Sequence, residues 1–409
     1  MNPSTNASPL RPNDLLTFVM ALACGIAVAN IYYAQPLLDT LARYFGVGQG
    51  SAGIIITMTQ LGYAAGLILL VPLGDLLERR RLITAMSLVT ALSLAGIALS
   101  PTIEVFILTA LATGVTAVVA QVLVPFAAHM ASDAERGRVV GRVMTGLLLG
   151  ILLARVVSGA ITDLFGWRAV YWIAAGIMVL QALMLARLLP KEPPQSRMPY
   201  SRLLLSVLTL MREEPLLRRR IFYGALGFAA FSAFWTTIPF LLAQAPYHYP
   251  DSMIGLFGLL GVAGALCANL AGNLHDRGHS RSGTVLFQAM IGISFVLMAV
   301  FAHSLTAIIV GIILLDLGVQ GNQILNQSAI YQIRPDARSR ITTAYMTCYF
   351  LGGAAGSAGA AYLYQFAGWT GACALGAMLG LIGVLFWLTE AGSRILRARR
   401  LTTKRTGCS

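Results

Sequence analysis

The chain has 409 residues, 57% of them hydrophobic and only 11% charged, with a mean hydropathy of +0.74. An ordinary soluble domain carries about a quarter charged residues, so that class is excluded. The net charge of +13 raises nucleic acid as a partner, but the Lys and Arg residues alternate with apolar stretches instead of forming one continuous face, which excludes it.

In chain order, residues 1–13 form a polar tail with one Arg and no cleavable signal pattern. Apolar stretches of helix-spanning length, ~20 residues, follow at 14–36, 50–73, 82–100, 103–130, 139–163 and 168–189. After a polar interval come 219–243, 252–274, 283–302, 304–331, 341–365 and 371–390. The predicted domains are an N-terminal tail (1–13), a six-helix bundle (14–189), a linker with an amphipathic segment (190–218), a second bundle (219–391) and a basic tail (392–409). Within the linker, Lys191-Glu192-Pro193-Pro194 stops the preceding helix. Leu203, Leu204, Leu205, Val207, Leu208 and Leu210 then predict a short helix at the membrane surface.

Basic residues gather in alternate loops: Arg79 to Arg81, then Arg136, Arg138 and Arg142, Lys191 through Arg220, Arg277 and Arg281, then Arg334, Arg338 and Arg340, and the tail. The positive-inside rule therefore places both termini in the cytoplasm. Four of the five cysteines lie inside predicted helices and Cys408 lies in the tail, none at metal or redox spacing. They read as small apolar fillers.

The second half replays the first at an offset of about 202 residues, roughly the length of a six-helix membrane bundle. Asp75 returns as Asp276 and Gln121 as Gln323. Arg136-Gly137-Arg138 returns as Arg338-Ser339-Arg340, Gly150 as Gly352, and Gly166-Trp167 as Gly368-Trp369. Two like-oriented bundles around a midplane cavity are the architecture of alternating-access transporters. The fold class expected is therefore an all-α membrane protein of twelve transmembrane helices in two pseudo-symmetric six-helix bundles.

The segment Val71-Pro72-Leu73-Gly74-Asp75-Leu76-Leu77-Glu78-Arg79-Arg80 resembles the loop signature of the major facilitator superfamily, roughly G-x-L-a-D-R-x-G-R-R. Gly272-Asn273-Leu274-His275-Asp276-Arg277-Gly278 matches its first half better. Val71, Leu76 and Glu78 depart from the pattern. A carboxylate at a helix end can meet the positive N-terminus of a neighbouring helix and nearby arginines. The resemblance implies that Asp75 and Asp276, with Arg79, Arg136, Arg277 and Arg338, latch the cytoplasmic side. Asp75 would then face the helix start near Ile341, and Asp276 the start near Val139. The stripe Gly146-x-x-x-Gly150-x-x-x-Ala154-Arg155 partly resembles the antiporter signature of the drug-efflux branches, and small residues so spaced also allow close helix packing. Asn30-Ile31-Tyr32-Tyr33-Ala34-Gln35-Pro36, with Arg155, looks like the bacterial sugar-and-drug efflux branch.

Inside the predicted spans only Arg155 and Asp316 are ionisable and far from helix ends. At a rise of ~1.5 Å per residue they lie about 12 Å and about 18 Å from the outer ends of their helices. They are the candidate proton-coupling pair, with Asp316 carrying the proton and Arg155 pairing with it or competing for it. In the tenth span Asp316, Gln320, Gln323 and Gln327 recur on one helical face, with Asn322 and Asn326 beside it. Lipid cannot satisfy these amides, so the face must look inward. Gln121, Asn30, Tyr33, Phe231, Phe234 and Trp235 fall on the first, fourth and seventh helices. The resemblance implies that these helices line the cavity together with the tenth. The candidate substrate-binding set is therefore Asn30, Tyr33, Gln121, Phe234, Trp235, Gln320, Asn322, Gln323 and Gln327.

No nucleophile–base pair, metal-ligand spacing or Walker loop occurs, so neither an enzyme nor an ATP-driven pump is expected. The expected activity is proton-coupled efflux of a small neutral or amphipathic organic compound, sugar-like or drug-like. It needs no cofactor beyond the proton gradient and works as a monomer in the bilayer. The runner-up is a uniporter or proton-symporting importer of a small polar metabolite. Glycines 352, 353, 356 and 359 mark either packing inside the protein or a dimer contact, the former favoured.

Overall fold

The computed structural model describes residues 14–406 apart from 133, 195–197, 263, 265–273, 275, 276, 278, 335 and 336; for 391–406 it describes the backbone alone. Asp276 and the tail beyond 406 therefore lie outside the described residues.

Among the described residues there is no strand. The first half contains α1 (Asp14–Ala29), α2 (Leu38–Phe45), α3 (Gln49–Leu69), α4 (Leu73–Leu76), α5 (Arg79–Ala98), α6 (Ile103–Thr116), α7 (Val119–Met130), α8 (Arg136–Phe165) and α9 (Trp167–Leu188). The linker helix is α10 (Tyr200–Glu213). The second half contains α11 (Pro215–Ala243), then α12 (Asp251–Leu256) running into a 3-10 turn at Phe257–Gly261. It closes with α13 (Ser280–Val300), α14 (Leu305–Ile330) and α15 (Arg338–Thr406), the last kinked at Gly368. Every predicted apolar stretch holds helix, because a chain in hydrocarbon must satisfy its backbone groups within the segment. Two interruptions shape the interior. The first span unwinds into turns after Ala29, and the fourth is broken between Thr116 and Val119.

The repeat in the sequence is a repeat in space. α1 packs on α8 as α11 packs on the first part of α15, and α5 packs on α9 as α13 packs on the second part of α15. The bundles meet where α3 runs along α15 and where α8 crosses α12. The duplicated Gly-Trp pair turns the chain in both halves: Gly166 has φ +81° and Gly368 φ +57°, a region glycine enters without a Cβ clash. Each following tryptophan, Trp167 or Trp369, is buried.

The small-residue stripes serve packing inside the chain. A methyl group built on Gly150 would strike the carbonyl oxygen of Gly25 in α1, and one on Gly356 the carbonyl oxygen of Ala229 in α11. Gly352 faces Ala225, Gly353 faces Phe228 and Gly359 faces Leu375. Helices in lipid associate through close van der Waals contact rather than hydrophobic exclusion, so the backbones must touch.

In the linker, Leu203, Val207 and Leu210 of α10 are buried while Leu205 and Leu208 are exposed. The helix is amphipathic as predicted, with its buried face set on the protein. It touches both halves: the Tyr200 hydroxyl donates to the Leu69 carbonyl at 2.7 Å, and Arg334 pairs with Glu214 at 2.9 Å and Glu213 at 3.4 Å.

Gly150→Ala and Gly356→Ala should each remove about 1–3 kcal/mol of stability, the usual range for overpacking. Their thermal-denaturation midpoints in detergent should fall, while Gly176→Ala, with open space around it, should leave the midpoint unchanged.

Candidate functional site

The alternating loops define two faces, the one bearing Arg79, Arg136 and Arg338 (the basic face) and its opposite (the far face). Midway between them, side chains from both bundles surround a cavity of about 100 Å³. Its polar lining is Tyr32, Tyr63, Gln121, Gln320, Gln323 and Tyr349, with Phe228 and Phe231 among the apolar walls. The duplicated glutamines each hold a tyrosine. Gln121 Nε2 donates to the Tyr63 hydroxyl at 3.4 Å, and the Tyr349 hydroxyl donates to Gln323 Oε1 at 3.2 Å. Tyr349 stacks on Phe228 with ring centroids 4.2 Å apart, and Tyr63 lies 4.2 Å from Phe350.

Of the predicted binding residues, Gln121, Gln320 and Gln323 reach this cavity. The others are placed elsewhere. Asn30 donates to the carbonyls of Ile26 and Ala27 and contacts Met178 sulfur inside the first bundle. Tyr33 lines a groove of about 580 Å³ between α1 and α8. Both depart from the straight-helix count because the first span unwinds just before them. Phe234 packs on Phe295 and Trp369, since it is turned about 100° from Trp235 on α11. Asn322 donates to the Tyr223 carbonyl at 2.9 Å and accepts from Asn326. Gln327 is half-buried but does not line the cavity. Sequence reasoning missed Tyr32, Tyr63 and Tyr349, whose phenol oxygens would have marked them as polar members of otherwise apolar spans.

Arg155 is buried and does not pair with Asp316. Its Nε donates to Gln35 Oε1 at 2.7 Å. The guanidinium carbon lies 4.0 Å from the Trp235 ring centroid, 5.0 Å from Tyr32 and 5.6 Å from Phe231. A desolvated cation over an aromatic face gains about 2 kcal/mol, comparable with the roughly 2.5–3.5 kcal/mol that insertion scales assign to a charge at the bilayer centre. Aromatic rings thus take much of the role expected of a carboxylate.

Asp316 is also buried, and among the described residues it has no hydrogen-bond or ion-pair partner. The 3-10 turn of the eighth span lies beside both it and Arg155, whose charges interact without a hydrogen bond between them. A Cβ on Gly258 would lie 3.0 Å from Arg155 Cδ, and one on Gly261 would lie 3.2 Å from Asp316 Oδ2. The missing side chains let this turn sit against both groups.

The bundles are joined at the far face. Thr40 donates to Asp251 at 2.7 Å, the Ser252 amide donates to Asp163 at 2.9 Å, and Thr57 donates to Ser357 at 3.2 Å. Nearer the middle, Gln60 donates to Ser232 at 2.9 Å. Asp39 in α2 pairs with Arg43 at 2.9 Å; burial pushes its carboxyl up while the guanidinium draws it back down. On the basic face, Asp75 bonds Arg79 at 3.4 Å, and Arg79 Nε also donates to the Gly74 carbonyl. Asp75 makes no hydrogen bond to the helix start near Ile341, because the short α4 aims its carboxylate at the guanidinium four residues on. Arg136 Nε donates to the Ala128 carbonyl and Arg338 Nε to that of Tyr331, each within its own bundle, and Arg277 is exposed.

Residues 18–357 match the family description "Major Facilitator Superfamily". The chain belongs to this superfamily. A protein of Escherichia coli O157:H7 named "Uncharacterized transporter YgaY" is 50% identical over 373 residues, covering 91% of this chain and 94% of that one. "Probable transporter SCO4007" of Streptomyces coelicolor is 34% identical over 375 residues, covering 91% and 86%. A Helicobacter pylori protein named "Probable sugar efflux transporter" is 24% identical over 377 residues, covering 91% and 93%. Among solved structures, the nucleoside transporter NupG superposes with a TM-score of 0.72 at 13% identity, covering 91% of this chain and 99% of that one. A bacterial homologue of the lysosomal transporter Spinster, inward-facing and occupied, gives 0.71 at 12%, covering 94% and 96%. These likenesses establish the all-α superfamily fold, with which two six-helix bundles are consistent, and the family makes this chain a multi-pass membrane transporter rather than an enzyme.

Trp235→Leu should lower the thermal-denaturation midpoint in detergent by the equivalent of about 2 kcal/mol more than Trp235→Phe, because only the second keeps a ring under the guanidinium.

Proposed function

We propose that this superfamily member is a proton-coupled exporter of a small neutral or amphipathic organic compound, working by alternating access in a bacterial inner membrane. The basic face and both termini are cytoplasmic in this reading, following the positive-inside rule. The observation that carries it is Asp316: a buried carboxyl with no hydrogen-bond partner among the described residues, beside an inter-bundle turn and on the helix whose Gln320 and Gln323 line the cavity. Such a group can hold a proton in one state of the bundles and release it in the other. The substrate site is the tyrosine–glutamine cavity, and Asp75, Arg79, Arg136, Asp276, Arg277 and Arg338 are the basic-face gate, which engages when the far face opens. The curated relative named as a sugar efflux transporter supports the outward direction.

The test is substrate-induced proton flux in energised everted vesicles across sugars, nucleosides, aromatic acids and amines. A cargo should collapse the pH gradient with wild type, and Asp316→Asn should cut that response at least about ten-fold, one pK unit's worth of coupling or more. Labelled cargo that equilibrates without moving protons would make the protein a uniporter and overturn the reading.

A further inference from the structure

Arg155 holds more than a place in the packing. Its Nη2 is buried and has no hydrogen-bond partner among the described residues, although its Nε is satisfied by Gln35. The indole Nε1 of Trp235, the ring 4.0 Å from the guanidinium, is likewise buried and unpartnered. Two adjacent buried donors are thus left without an acceptor, one of them carrying a full positive charge. Buried donors are almost always satisfied, so two such groups side by side call for an explanation. Asp316 does not supply it: its charge and that of Arg155 interact, but no hydrogen bond joins the two side chains.

Tyr32 and Phe231, which flank the guanidinium, also line the central cavity. An acidic group entering between these two rings from the cavity would meet both orphan donors at once.

We infer that Arg155 and Trp235 form an anion subsite just behind the Tyr32 and Phe231 wall of the cavity that takes the carboxylate of a small, ring-bearing monoanion. The carboxylate accepts from Arg155 Nη2 and Trp235 Nε1 while the ring lies among Tyr32, Phe231 and the cavity aromatics. One guanidinium matches one negative charge, and the cavity of about 100 Å³ limits the body to about a single ring in this state. A dicarboxylate would leave its second charge among aromatic walls, so it is refused. This deepens the transport reading above by naming the cargo's chemical class, and it rests on that reading. Its test uses equilibrium binding without a gradient, so failure of one does not imply failure of the other.

The experiment is isothermal calorimetry on the purified full chain in detergent at neutral pH, with benzoate and its uncharged isostere benzamide as probes. Benzoate should bind at least about ten-fold tighter, since charge-assisted hydrogen bonds are roughly twice as strong as neutral ones. Arg155→Gln should abolish that preference and Arg155→Lys should keep part of it. If Arg155→Gln does not fold, Trp235→Phe keeps the ring and removes one donor; it should weaken benzoate several-fold and benzamide by less, narrowing the preference between them. Equal affinities in wild type, no saturable benzoate binding, or a preference that survives both Arg155→Gln and Trp235→Phe would overturn the inference.

Discussion

A polar group in hydrocarbon has no water to turn to, and the interior of this protein is organised by that fact. Backbone groups are closed off within helices. Amides pair with tyrosines and with backbone carbonyls, as Gln121 does with Tyr63 and Asn322 with Tyr223. The most demanding case is Arg155, whose charge is spread over three aromatic faces and one glutamine oxygen. Tyr32 and Phe231, from the first and seventh spans, are held where that guanidinium needs them, and they in turn shape the cavity wall. The site is built outward from one buried cation.

The architecture was readable in advance because a duplicated sequence keeps its landmarks wherever geometry demands them. Gly166 and Gly368 both need positive φ, and Gly150 and Gly352 both lie against the backbone of a neighbouring helix. Such constraints act on the residue type itself, so they show in the letters. The cavity was only half readable. Gln121, Gln320 and Gln323 lie on regular helix, where a 3.6-residue count holds. Asn30 and Tyr33 lie past the point where the first span unwinds, and no count survives a change of backbone conformation. The tyrosines of the cavity were missed for another reason: their rings pass for apolar packing until the partner of the hydroxyl is known.

The pairing of Arg155 with Asp316 could be framed from depth but not decided by it. Depth along a helix axis fixes how far two groups lie from the membrane surface and says nothing of what passes between them. Beside both runs the eighth span, with one glycine against each side chain. The far-face bonds from Thr40 to Asp251 and from Ser252 to Asp163 anchor the start of that span to the first bundle, directly above the turn.

That turn is wound as a 3-10 helix over the five residues Phe257–Gly261. A 3-10 helix rises ~2.0 Å per residue and an α-helix ~1.5 Å. Rewound as α-helix, the same five residues would span about 2.5 Å less, nearly half of one ~5.4 Å α-helical turn. The eighth span therefore contains a slack length whose take-up would draw the chain beyond Gly261 toward Asp251 and rotate the two glycines away from the side chains they lie against.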